Sequence, residues 1–220
     1  MFASFYFALR YSLRHRWFDL ALSAFLFGLA ISSKVTAFFI LPLNLIFMGT
    51  SLVQGRGSLS KLTSSLHLPL LYFAIIYLTV RTMDPYLFEH ANILNPQISK
   101  TFISDLMSLK SFEGKDVWYP PGVQWIDKQP IIFGLRNIIF FGVGIPYFIM
   151  MLLGLYKSMK RGDLWVFMLV LWILGFFIYQ STQFAHTMRY FIFLYPFFAI
   201  FAAVGFQQLL DFIQRYFSKL

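Results

Sequence analysis

Apolar residues occur in long runs along this chain, and short polar segments separate the runs. A membrane-spanning helix needs about 17–25 predominantly apolar residues. The run over 17–53 is long enough for two helices, and the single charge at Lys34 predicts where they break. The other apolar runs cover 67–82, 131–156, 164–182 and 190–213. The pattern predicts an all-α, polytopic transmembrane helix bundle of about six spans.

We expect one transmembrane domain over residues 1–220. It comprises a hairpin plus a span at 17–82, a long hydrophilic loop at 83–130, and three C-terminal spans within 131–213. Composition agrees: 59% of residues are hydrophobic and only 12% are charged, against about 25% charged in a soluble domain. The absence of cysteine excludes disulfides, thiolate metal sites and thiol catalysis. The net charge of +9 lies largely in loops flanking apolar runs, so it indicates topology and anionic-lipid contact, not nucleic acid.

The basic residues of the short loops predict the orientation, because Lys and Arg favour cytoplasmic loops. One arrangement of the spans across the membrane places every basic cluster on the cytoplasmic side. The clusters are Arg10, Arg14 and Arg16; Arg56 and Lys61; Lys157, Lys160 and Arg161; and Arg215 and Lys219. The same arrangement puts the 83–130 loop on the outer side of the membrane. We therefore expect a multi-pass protein, most simply of a prokaryotic plasma membrane, with an extracytoplasmic active face.

His186 and Arg189 lie between two apolar runs, on the outer side where cations are normally scarce. A cation kept there suggests an anionic ligand, and the phosphate of a lipid carrier is the candidate. Arg suits phosphate because its planar fork donates two hydrogen bonds at once. Lys34 has two interpretations: a side chain that reaches back to water, or a charge aimed at the same anion.

The outer loop contains the aromatic stretch Asp116-Val-Trp-Tyr-Pro-Pro-Gly-Val-Gln-Trp-Ile-Asp127. Its rings could form a stacking platform for a sugar, or an interfacial belt that anchors the protein at headgroup depth. Asp84, Glu89, Asp116 and Asp127 could each act as a general base or metal ligand. A solvated loop carboxylate is the commoner role, and no pair has a diagnostic spacing.

The glycines predict helix packing, and the absence of several motifs excludes classes of function. Gly142, Gly144 and Gly154 indicate close helix packing. No glycine-rich phosphate loop, zinc-binding His pair or nucleophile elbow is present in the sequence. Nucleotide substrates and hydrolase triads are therefore not expected.

Three segments resemble polytopic GT-C glycosyltransferases of the protein O-mannosyltransferase-like and aminoarabinose-transferase-like kinds. Gly28-Leu-Ala-Ile-Ser-Ser-Lys34, followed by Pro42, is similar to their hairpin. Tyr119-Pro-Pro-Gly-Val-Gln-Trp125, with the later Pro130, Asn137 and Gly142-Val-Gly-Ile-Pro146, resembles their outer loop and following helix. His186-Thr-Met-Arg-Tyr190, followed by Tyr195-Pro196, resembles a third element. The matches cover nearly the whole chain in the expected order.

The resemblance implies a reaction at the outer leaflet. A polyprenyl-phosphate-linked sugar is the donor, an acceptor hydroxyl of a protein, lipid or glycan attacks the anomeric carbon, and the lipid phosphate leaves. Arg189 and His186 would contact the carrier phosphate, with help from Lys34. Side chains lining the sugar or acceptor would be Trp125, Gln124, Tyr119 and Tyr190. No metal ligand is assigned, although some members use a divalent cation.

The chain departs from the family in its catalytic base. The resemblance places an Asp base in an outer loop that would lie upstream of Met1, so we expect a C-terminal fragment that is inactive alone. The alternatives are a transporter or flippase for lipid-linked saccharides, or a non-catalytic assembly subunit. Transporters often show duplicated halves and interrupted helices, and the sequence indicates neither.

Overall fold

A computed structural model describes residues 1–54, 67–111 and 120–217. The chain forms two compact units, Met1–Lys110 (unit 1) and Ser111–Leu220 (unit 2). The described residues are helical apart from turns, extended segments and an isolated antiparallel bridge between Phe88 and Ile98. This confirms the all-α prediction.

Unit 1 contains five α-helices within its described residues. They are α1 (Phe2–Arg14), α2 (Trp17–Ser33), α3 (Leu41–Gln54), α4 (His67–Met83) and α5 (Lys100–Ser111, whose last residue belongs to unit 2). The chain breaks between α2 and α3 at the predicted place, since Lys34 is extended and a 3₁₀ segment, Val35–Ile40, follows it.

Unit 2 begins with the single turn α6 (Pro120–Val123) and the short helix α7 (Ile132–Asn137). The π-helical segment Ile138–Val143 continues α7. Three longer helices follow: α8 (Ile145–Lys160), α9 (Leu164–Thr182) and α10 (Tyr195–Phe217). Helix α9 has the bounds that the hydropathy pattern predicts.

Two helical stretches are long and apolar enough to cross a membrane, Leu164–Thr182 and Ile192–Phe217. A third span results if the bent pair Ile132–Val143 and Ile145–Lys160 counts as one. The apolar helices Trp17–Ser33, Val35–Thr50 and His67–Met83 are shorter. The described residues thus support two or three spans by length and composition, and the predicted total of six is not confirmed.

The segment 83–130 is also more ordered than the predicted loop. It contains the Phe88–Ile98 bridge, helix α5 and the turn α6 among its described residues. Backbone hydrogen bonds from Glu89 N–H to Gln97 O (2.9 Å) and from Ser99 N–H to Leu87 O (2.9 Å) close the bridge into a small hairpin. The polar composition marked this segment as outside the apolar core but gave no sign of this pairing.

A buried polar cluster joins four helices of unit 1. The Ser4 hydroxyl of α1 donates to the Ser23 carbonyl of α2, and the Ser23 hydroxyl donates to the Ser4 carbonyl, each at 2.9 Å. The Asn44 amide of α3 donates to the Ser4 hydroxyl at 2.8 Å and to the Tyr72 hydroxyl of α4 at 3.1 Å. Such bonds tie helices together where apolar packing alone distinguishes partners poorly.

Glycines set the closest helix contact of unit 2. A Cβ added at Gly154 of α8 would overlap the Phe201 carbonyl oxygen, and one added at Gly205 of α10 would overlap the Met150 carbonyl oxygen. The two helices therefore approach at backbone distance, as small residues allow. The predicted packing role of Gly154 is confirmed.

Gly144 has a different role from the one its sequence context suggests. A Cβ there would meet nothing within 4 Å, so the residue does not mediate close packing. Its φ of 79° and ψ of 154° belong to a region that essentially only glycine adopts. The helices on either side of it meet at 108°. The predicted span over 131–156 is therefore a bent pair of helices, and a backbone torsion available to glycine lies at the bend.

Replacing Gly154 by Ala is expected to destabilise the protein by about 1–3 kcal/mol, because the new methyl group meets backbone atoms that cannot rotate away. Gly175 in α9 is the matched control, since a Cβ there meets nothing within 4 Å. Gly175→Ala should leave stability unchanged or raise it by about 0.5–1 kcal/mol. Thermal unfolding of both variants in nanodiscs measures the difference, and equal unfolding temperatures would contradict the packing role.

Replacing Ser4 by Ala is expected to cost about 1–2 kcal/mol, because it removes a buried hydroxyl that both donates and accepts across helices. Ser33→Ala is the control, since the exposed Ser33 hydroxyl bonds only to Leu29 O of its own helix. Chemical unfolding followed by intrinsic fluorescence compares the two variants. A loss no larger for Ser4→Ala than for Ser33→Ala would show that the cluster does not stabilise unit 1.

Candidate functional site

The candidate site in unit 2 lies in the break between α9 and α10. Helix α9 ends at Thr182, residues 183–187 have no regular structure, and a 3₁₀ turn covers Met188–Tyr190. Such irregular backbone aims side chains in directions that a continuous helix does not offer. His186 is buried, with 5% of its surface exposed, whereas Arg189 is exposed. Two cations three residues apart thus occupy opposite environments.

His186 packs into a cluster of aromatic rings. Its imidazole stacks on the Trp125 indole, with ring centroids 6.1 Å apart and planes 28° from parallel. Phe133 meets His186 edge-on at 5.7 Å and Trp125 edge-on at 6.1 Å. The structure therefore joins two of the residues that the sequence predicted for the site, His186 and Trp125, although 61 positions separate them.

The hydrogen bonding of His186 defines its tautomer. Nδ1 lies 2.7 Å from the Phe184 carbonyl oxygen, which can only accept, so Nδ1 carries a proton. Nε2 is buried and has no hydrogen-bond partner among the described residues. In this tautomer Nε2 is the acceptor nitrogen of the ring, and it is unpaired within the described part of the chain.

The turn that carries Arg189 is braced by the π-helical segment. The side chains of Tyr195 and Met188 lie against Gly142, where any Cβ would overlap the Tyr195 hydroxyl. The Arg189 guanidinium lies over the Tyr190 ring at 5.2 Å from its centroid, a cation–π contact. The exposed guanidinium can face a ligand, while the Tyr190 ring limits the motion of the Arg189 side chain.

The remaining predicted residues have less defined surroundings. Gln124 is exposed beside the half-buried Trp125. Lys34 is exposed at the extended break of unit 1. Tyr119 lies outside the described residues. Within the described part of the chain, no group of three or more His, Asp or Glu side chains could hold a metal ion.

Unit 1 contains a cavity that the sequence did not indicate. It has a volume of about 860 Å³ and lies around the hairpin after α4 and the first turns of α5. Arg81, Glu89 and Asp105 line it, together with aromatic and hydroxyl side chains. The sequence indicated Glu89 as one of four candidate loop carboxylates but did not connect it with Arg81 or Asp105, and the chain reversal at the Phe88–Ile98 bridge brings the three to one cavity.

Comparisons with known proteins assign no family to this geometry. No protein-family model, no curated protein and no solved structure matches the chain. The site residues are therefore interpreted from their own chemistry and surroundings.

Proposed function

We propose that this chain forms part of a membrane glycosyltransferase. It would move a sugar from a polyprenyl-phosphate-linked donor to an acceptor hydroxyl at the extracytoplasmic face. The observation that carries the proposal is the stacked pair of Trp125 and His186, with the exposed Arg189 on the next turn. An aromatic face beside a segment with two basic side chains suits the two halves of a sugar phosphate.

The phosphate half is assigned to Arg189 and His186. The planar guanidinium donates two parallel hydrogen bonds to phosphate oxygens. His186 is assigned to the same phosphate through Nε2, which is buried and has no hydrogen-bond partner among the described residues, because Nδ1 is already bonded to the Phe184 carbonyl. The guanidinium charge of Arg189 favours departure of the lipid phosphate by stabilising the negative charge that develops on it.

The sugar half is assigned to Trp125 and its chain neighbour Gln124, with Tyr190, which follows Arg189, and Tyr119 as further candidates. Indole offers an apolar face to the C–H surface of a sugar ring and an N–H to its hydroxyl groups. Trp125 is half-buried, so part of its surface remains available. Its stack with His186 limits rotation of the ring and lowers the entropy cost of binding.

The prenyl chain is assigned to an apolar cavity of about 290 Å³ in unit 2. Its lining is entirely hydrophobic and includes Ile138, Phe148, Met151, Ile173, Phe177 and Phe198. Such a lining suits a hydrocarbon chain and offers nothing to a polar ligand. The acidic base that the family resemblance requires is assigned to no residue of this chain.

The proposed topology retains the multi-pass arrangement in a prokaryotic plasma membrane. Helices α2 and α4 each have 17 residues, which is about the lower limit for a span. Together with the 35–50 segment they would add three short spans to those of unit 2. The four basic clusters then share the cytoplasmic side, as the positive-inside rule requires.

A lipid-linked saccharide transporter is the second candidate, and the interrupted helix at Gly144 favours it. Discontinuous helices are common at transporter binding sites, and the 108° bend is such an interruption. Transport leaves the bond between sugar and phosphate intact, whereas transfer breaks it. A non-catalytic assembly subunit would do neither.

Replacing Arg189 by Ala is expected to weaken binding of undecaprenyl phosphate to the full chain in nanodiscs by about tenfold or more, since a charged hydrogen-bond donor is lost. Arg161→Ala is the matched control, because Arg161 is equally exposed but belongs to a basic cluster of the opposite proposed face. Native mass spectrometry of lipid-bound protein gives both affinities. Equal affinities for the two variants would reject Arg189 as a phosphate ligand.

Product analysis separates the candidate functions. Proteoliposomes containing the chain are supplied with undecaprenyl-phosphate mannose or undecaprenyl-phosphate glucose, with and without membrane extract as acceptor. Transfer predicts free undecaprenyl phosphate, and less of it with Arg189→Ala. Movement of intact donor between leaflets, without that product, would replace the transferase proposal by the transporter, and neither event would reject transfer and transport by this chain on its own.

A further inference from the structure

The cavity of unit 1 is built by a reversal of the chain after α4. The turn Pro85–Leu87 follows that helix, and the Phe88–Ile98 bridge then brings residue 99 back beside residue 87. Helix α5 starts at Lys100, and its first turns complete the wall. All of the lining residues belong to unit 1.

Arg81 is the buried cation of this cavity, with 6% of its surface exposed. Its Nη2 donates to the carbonyl oxygens of His90 and Asn92, the latter at 2.7 Å. The guanidinium also lies 4.4 Å from the centroid of the Phe88 ring. Nη1 has no hydrogen-bond partner among the described residues. A buried guanidinium with an unpaired nitrogen needs an explanation, and a hydrogen-bonding ligand at this cavity supplies one.

Two carboxylates line the same cavity. Glu89 Oε2 accepts the Lys100 N–H at 2.8 Å, a bond that orients the side chain at the start of α5 and leaves Oε1 open. Asp105 follows on the same helix and is exposed. The two acids come from different elements, the hairpin and α5, and both line the cavity.

Neutral groups complete the lining. Hydroxyl groups come from Thr82, Ser99 and Thr101, and aromatic rings from Tyr86, Phe88 and Phe102. Tyr86 is 89% exposed, so most of its ring is open to a ligand. The volume of about 860 Å³ lies within the range of roughly 300–1,000 Å³ typical of small-molecule sites.

The mixture of charges selects the class of ligand. Two carboxylates disfavour an anion, and the buried Arg81 disfavours a cation. A neutral polyhydroxylated ligand satisfies both, because each hydroxyl can donate to a carboxylate and accept from a guanidinium. The open aromatic ring adds a face for the C–H surface of a sugar.

We propose that the unit 1 cavity is a carbohydrate-binding site, in which Arg81, Glu89 and Asp105 bond to sugar hydroxyls and Tyr86 stacks on the ring. The site goes beyond the proposed transferase function, because it involves neither Trp125 nor the cations of unit 2. It holds whether or not the chain transfers a sugar.

Saturation-transfer difference NMR on the full chain tests the site with three probes: methyl α-mannopyranoside, methyl β-glucopyranoside and methyl β-galactopyranoside. The protein is held in nanodiscs free of glycolipid and maltoside detergent, since either would supply a competing sugar. At least one glycoside should bind, and Glu89→Gln or Asp105→Asn should each weaken it about tenfold. Both positions are exposed, and Gln can still accept the Lys100 N–H, so the fold is retained.

Asp163→Asn is the matched control, an exposed carboxylate of unit 2 that should leave glycoside binding unchanged. Binding of none of the three glycosides overturns the proposal, as does equal binding by all variants. Inorganic phosphate binding that Glu89→Gln strengthens, without glycoside binding, would replace it by an anion site at Arg81. The glycoside experiment contains no carrier lipid, so its failure does not affect the transferase proposal. Likewise, if Arg189→Ala did not change lipid binding, the carbohydrate-site proposal would not be affected.

Discussion

A backbone that leaves water must satisfy its own hydrogen bonds, and this constraint governs the chain more than any single contact does. The apolar runs satisfy it by forming helices. Each interruption of a helix then needs a local cause: an extended residue at Lys34, a glycine torsion at Gly144, and an irregular segment at 183–187. Lys34, His186 and Arg189 lie at or beside these interruptions, where side chains and backbone groups can face a ligand.

Within each unit, helices are joined by contacts that do not depend on the hydrophobic effect. Unit 2 uses glycines that let α8 and α10 approach at backbone distance. Unit 1 uses the buried hydroxyl and amide groups around Asn44, and an ion pair of 3.3 Å between Arg10 and the buried Asp19. Both kinds of contact suit an apolar environment, because the hydrophobic effect does not favour one hydrocarbon surface over another there.

The two cations of the candidate site differ in what they can do. His186 is held by a carbonyl and two aromatic rings, so its geometry is determined before any ligand arrives. Arg189 is exposed and braced by one ring, so it can adjust to a phosphate while losing little freedom. Under the proposed function, a rigid partner and an adaptable one would together serve a ligand whose phosphate gains negative charge as its bond breaks.

Sequence alone determined the helical class, the bounds of α9, the break at Lys34 and the choice of His186, Trp125 and Arg189 as candidates. These follow from hydropathy, charge and residue type, which are local properties. Tertiary structure decided the bend at Gly144, the burial of His186 against Trp125, and the cavity shared by Arg81, Glu89 and Asp105. A glycine torsion leaves no mark on hydropathy, and a contact between distant residues depends on how the intervening chain packs.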